Sequence, residues 1–123
     1  MIVNSISSLV FASNAIMLWI YNKTVYAWLM IILVATSVWN HMAETKISEI
    51  IDKIAVYAVI VYGGYKFITE TTNNKNIILA CFLMCGILYH MVLPNITNPL
   101  TYVYLHGILH IVASIGHHLI AMS

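Results

Sequence analysis

Five long apolar runs divide the chain, and most of its charge is confined to the short gaps between them. A helix needs about 20 mostly apolar residues to cross a bilayer. Residues 3–21, 25–42, 50–68, 77–93 and 100–122 all offer such a stretch. The expected fold is therefore all-α: an integral membrane bundle of about five transmembrane helices, forming a single domain over residues 1–123. Composition agrees. Of 123 residues, 62% are hydrophobic and 7% charged, where a soluble domain carries about a quarter charged residues. A net charge of +1 gives no electrostatic basis for nucleic-acid binding.

The breaks are short. Asn22, Lys23 and Thr24 form a turn, residues 43–53 a polar stretch, residues 69–76 a polar loop, and residues 94–99 a break with two prolines. The third run begins amphipathic, with Glu49 and Lys53 four apart in the acid-first order that favours a helix pair. Cys81 and Cys85 are also four apart, which suits helix neighbours rather than a redox pair. The start of the chain lacks the basic segment of a cleavable signal. Lys23, Lys66 and Lys75 fall on the face of the C-terminus. Lys46 falls on that of the N-terminus, with Lys53 just inside the helix. The positive-inside rule then favours a cytosolic C-terminus and an outside or lumenal N-terminus.

Within this apolar frame the ionisable residues gather on one side. Successive spans alternate in direction. His41 closes the second, Asp52 opens the third, and His106 and His110 lie early in the fifth. All four therefore lie toward the face of the N-terminus, with Ser37 one turn deeper than His41. Intramembrane ionisable residues are costly and default to a functional reading. Residues four apart on a helix point nearly the same way, about 6 Å apart along the axis. His106 and His110 can thus offer two imidazoles to one ion, and His41 a third. Three histidines with an open fourth position make the pattern of a catalytic zinc site. Asp52 could then take a proton from water, and Ser37 could hydrogen-bond a developing oxyanion or orient a ligand.

Each residue also has a plain structural reading. An HxxxH pair in a membrane helix can pack or bond a neighbouring helix, and Ser37 suits a helix contact. His41 can be an interfacial side chain. Asp52 can be an interfacial acid near Lys46 and Lys53. His90, His117 and His118 are read as structural, although His90 lies near the site's face. His117 falls on the face of His110 about 10 Å further along, too far to share an ion.

The run Ser37-Val-Trp-Asn-His41, with Asp52 eleven residues later, resembles the SxxxH motif and spacing of the alkaline ceramidases. Those enzymes belong to a wider superfamily of zinc membrane hydrolases that includes the adiponectin and progestin receptors. The stretch His106-Gly-Ile-Leu-His110-Ile-Val-Ala-Ser-Ile-Gly116 is similar to the family's final-helix motif. The resemblance covers roughly residues 33–60 and 104–120. It implies that His41, His106 and His110 ligate zinc, that Asp52 activates water, and that Ser37 assists at the metal. The implied substrate is a membrane lipid amide, ceramide or another N-acyl lipid. Family members have seven spans, and here one helix stands where three would lie between the third and last. A second copy of the chain could supply the missing wall, so a homodimer is an expectation. The ceramidases' acidic N-terminal calcium motif is also absent, since residues 1–14 contain no Asp or Glu.

Two further readings compete with hydrolysis. One is a receptor-like or scaffold membrane protein whose structural zinc is closed by a fourth protein ligand, Asp52 or His90. The other is a haem protein, which leaves Ser37 and Asp52 unexplained.

Overall fold

The computed structural model describes residues 2–71 and 73–123, apart from the side chains of Ile2 and Val3. Met1, and Thr72 in the expected 69–76 loop, lie outside the described residues. All regular structure among those described is helical. The elements are α1 (Ile2–Ser8), α2 (Val10–Ile20), α3 (Thr24–Ala43), α4 (Lys46–Glu70), α5 (Lys75–Ile87) and α6 (Pro99–Ala121). α1 and α2 succeed one another across Leu9, and α5 runs on through a π turn and a 3-10 turn to Asn95.

Three helical segments are long and apolar enough to cross a membrane: Thr24–Ala43, Lys75–Asn95 and Pro99–Ala121. The five apolar runs are all helical, but the other two differ from this standard. The first is shortened by the irregularity at Leu9. The third is the longest helix, and its charged ends dilute its hydropathy. It begins at Lys46 rather than residue 50, so the polar stretch after Ala43 is mostly helix. The cause is a capping box: Thr45 Oγ1 accepts from Ser48 N–H at 3.1 Å, and Thr45 N–H donates to Ser48 Oγ at 3.1 Å. Ser48 Oγ also donates to Asn40 Oδ1 at 3.1 Å, fastening the start of α4 to the end of α3.

The other breaks follow local chemistry. Asn22 and Asn74 adopt positive φ, of 59° and 58°, where asparagine is tolerated. Pro94 has no N–H to give to the carbonyl of His90. The chain widens before it into the π turn Leu88–Val92, with Leu93 N–H reaching Leu88 O. Asn98 then caps α6, its Oδ1 accepting from Leu100 N–H at 3.0 Å and Thr101 N–H at 3.1 Å, with Pro99 in the first helical position.

Packing is uneven. α1 and α2 lie against α3 and α6, α4 pairs with α3, and α5 pairs with α6. The dense core gathers Phe11, Leu18, Tyr26, Met30, Val59 and Ile120. α2 and α6 run parallel and are joined by a reciprocal buried pair. Asn14 Nδ2 donates to Ser114 O at 2.9 Å, and Ser114 Oγ donates to Asn14 Oδ1 at 2.8 Å. At the far end Lys23 donates to Ile120 O at 3.0 Å and Ser123 O at 3.2 Å, putting a cation on the last carbonyls of α6. Between α4 and α5 the bundle opens into a cavity of about 1110 Å³.

The outward surface is apolar, with Trp19, Trp28, Ile60 and Leu83 among its exposed side chains. A surface of this kind is at home in lipid rather than water. The chain is accordingly a helical membrane protein.

Candidate metal centre

The site lies where the end of α3 and the starts of α4 and α6 meet. The Asn40–Ser48 bond and the Thr45 cap hold the α3–α4 turn tight, so residues before it face residues after it across an antiparallel pair. That register brings the second turn of α4 opposite Thr36 and Ser37. Ser37 Oγ donates to Asp52 Oδ1 at 2.7 Å, and Thr36 Oγ1 donates to the same oxygen at 3.0 Å. Ser37 is buried, at 3% exposure. The neighbouring lysines do not claim Asp52: Lys53 and Lys46 pair with Glu49 instead, at 2.8 and 3.5 Å. The hydrogen bond from Lys53, helped by Lys46, holds the Glu49 carboxyl below its ordinary pKa. Asp52 is held by the two hydroxyls instead.

His41, in the last turn of α3, meets His106 and His110 from the first half of α6. One ligand nitrogen from each can be chosen so that all three lie within 4.8 Å of one another. The ring centroids are 4.6 Å apart for His106 and His110, 5.0 Å for His41 and His106, and 5.7 Å for His41 and His110. Zinc–nitrogen distances of about 2.0–2.1 Å draw the nitrogens of a tetrahedral site closer than that limit. Side-chain rotation supplies the difference.

Two observations bear on the fit of a metal. First, Ser7 Oγ lies 2.8 Å from His110 Nδ1 and gives its own proton to Asn4 O at 3.0 Å. With that proton on Asn4 O, the serine accepts from Nδ1–H and the Nε2 lone pair of His110 is free. A ligating histidine is usually fixed in this way, by a partner on its other nitrogen. Second, His106 Nδ1 is buried with no hydrogen-bond partner among the described residues. An orphaned polar atom in a buried place is costly. Three imidazoles crowded together, one anchored to a serine and one with an unpartnered nitrogen, suit a cation.

The cluster opens into the cavity between α4 and α5. Asp52, Ser37 and His90 line the same space, with Lys53 and Glu49 at its polar end and Phe67, Ile78 and His117 at the other. His90 sits in the π turn beside Tyr89, outside the three-histidine group. His118 bonds Ser13 Oγ at 2.9 Å. Sequence reasoning missed Ser7 and Thr36. Both are small polar residues in apolar helices with no motif of their own.

Comparison with protein-family profiles, with curated proteins and with solved structures returns no match.

Proposed function

We propose that this chain is a zinc-dependent intramembrane hydrolase that cleaves the amide bond of a membrane lipid, ceramide or another N-acyl lipid. In this reading all five helical segments span the bilayer, with the N-terminus outside or lumenal. The observation that carries it is the convergence of His41, His106 and His110 beside Asp52 at one end of a mainly apolar cavity. Asp52 and His90 are not part of the three-histidine group among the described residues. That supports an open, catalytic set over a closed structural one.

His41, His106 and His110 would hold the ion. Zinc bound by three histidines lowers the pKa of its water toward neutrality and polarises a carbonyl. Asp52 takes the proton as water adds to the amide carbon, and returns it to the nitrogen as the C–N bond breaks. The products are a carboxylic acid and an amine. Ser37 and Thr36 both address Oδ1 of Asp52, which leaves Oδ2 for that proton and fixes the carboxylate's plane. In this arrangement Ser37 positions Asp52 rather than touching the ion. The gap between α4 and α5 admits a lipid sideways, and the apolar wall receives its chains while the amide stays near the membrane surface.

The test is elemental analysis of the purified protein together with turnover of N-acyl lipids. About one zinc per chain is expected, lost in His106→Ala/His110→Ala. Asp52→Asn should keep zinc and lose turnover by several orders of magnitude. Activity surviving both changes overturns the reading, as does a zinc-free protein prepared without chelator.

A further inference from the structure

His117 lies two turns beyond His110 on α6, about 10 Å further along the helix. It is 3% exposed, yet it lines the inner end of the cavity. Its Nδ1 is bonded to the hydroxyl of Tyr26, a residue with no exposed surface. That hydroxyl has no other hydrogen-bond partner among the described residues, so the arrangement that leaves fewest groups unmatched has it donating to Nδ1. The proton of a neutral His117 then sits on Nε2. Nε2 has no protein partner among the described residues, and it is the ring's remaining polar atom on the cavity. Phe82 flanks the ring at a centroid distance of 5.0 Å, and Phe67, Ile78 and Ile120 line the same cavity. Close packing holds the pair in place: a Cβ on Gly63 would stand 2.7 Å from the Tyr26 hydroxyl oxygen and 3.4 Å from His117 Cε1.

A pocket end that receives only a plain hydrocarbon tail has no use for a fixed donor on its wall. From this juxtaposition we infer that the inner end of the cavity is an oxygen-binding subsite, in which His117 Nε2–H donates to a hydroxyl carried part-way along the ligand's hydrocarbon chain. The ligand class is a lipid with an oxygenated chain, its hydroxyl about 10 Å from the group held at the three histidines. This rests on the reading of the cavity as a lipid site, and it adds which chain the site selects. Selection follows because a site built to bond an oxygen discriminates against the analogue that lacks it.

Binding is measured on the full chain in mild detergent after chelation, so that no turnover intervenes. The probes are two N-acyl lipids that differ by a single mid-chain hydroxyl. The native protein should prefer the hydroxylated lipid by about tenfold, the scale of one net hydrogen bond. Tyr26→Phe/His117→Phe removes both partners together, so neither is left buried and unpaired, and it should bind the two lipids equally. His117→Phe alone serves if the double variant does not fold. His106→Ala/His110→Ala should retain the preference, because the subsite is separate from the cluster. If the hydrolase reading fails, turnover is absent while this preference stands. Equal binding of the two lipids by the native protein overturns the inference, as does failure to bind either. A preference that survives loss of His117 overturns it too.

Discussion

α6 presents buried histidines in two settings, and the contrast between them separates chemistry from packing. At His117 one ring nitrogen is matched to a tyrosine hydroxyl, aromatic edges lie on the flanks, and the other nitrogen is left to the cavity. At His106 and His110 three rings press on one another, a serine holds one of them, and one nitrogen has no protein partner. A tyrosine holds the first ring in place with no need of an ion, whereas no such partner holds His106 among the described residues. A folding chain gains nothing from burying an imidazole nitrogen, as at His106, that faces no donor or acceptor among the described residues. Helix spacing is the same in kind at both places. The difference lies in what the neighbouring helices bring: Tyr26 to one, His41 to the other.

The sharpest way to break this comparison is to truncate each end. His110→Ala should abolish stoichiometric zinc, while His117→Ala should leave it intact and lower stability by about 1–3 kcal/mol, the cost of leaving the Tyr26 hydroxyl unpaired. Elemental analysis and thermal unfolding of both variants in one detergent read the two effects. Equal zinc loss in both would mean that the two ends are one cooperative unit and not two sites.

Ser7 offers a finer test. Its hydroxyl anchors Nδ1 of His110, and partners of this kind are worth about 10–100-fold in metal affinity. Ser7→Ala should weaken zinc binding by that factor in a competition titration and leave the metal-free protein nearly unchanged. A variant with native affinity would show that the hydroxyl only packs.

The sequence carried the helical plan because apolar run length is a strong signal that needs no partner. It also carried His41, Asp52, His106 and His110, because alternation of direction alone puts all four on one side. It did not carry Ser7, whose partner His110 is 103 residues away, or Tyr26, whose partner His117 is 91 away. A lone serine or tyrosine in an apolar helix has no period to read. The start of α4 was misjudged for a related reason. The apolar run marks the helix only from residue 50, whereas Thr45 and Ser48 cap it four residues earlier, with serine in the place usually held by Glu or Gln. Ser37 was visible by its spacing from His41. Its hydroxyl, however, goes to Asp52, because the antiparallel register of α3 and α4 sets that carboxylate opposite it.

The smallest effects come from two adjacent glycines, which measure how tightly each part of the cavity wall is held. Gly63 faces the Tyr26–His117 pair, and an added Cβ would lie 2.7 Å from the tyrosine oxygen. Tyr26 is fully buried and cannot swing aside without leaving His117. Gly63→Ala should therefore cost about 1–3 kcal/mol, the usual range for overpacking a dense interior. Gly64 also borders the cavity, but a Cβ there meets nothing within 4 Å. Alanine at that position restricts the unfolded chain and suits a helix interior better than glycine, so Gly64→Ala should gain about 0.4–1 kcal/mol. Thermal unfolding of the two single variants gives the sign of each change. Opposite signs mean that the cavity is rigid at the His117 end and roomy one residue away. A loss at both positions would mean that the wall closes on Gly64 as well, leaving less space for a chain between α4 and α5 than its volume suggests.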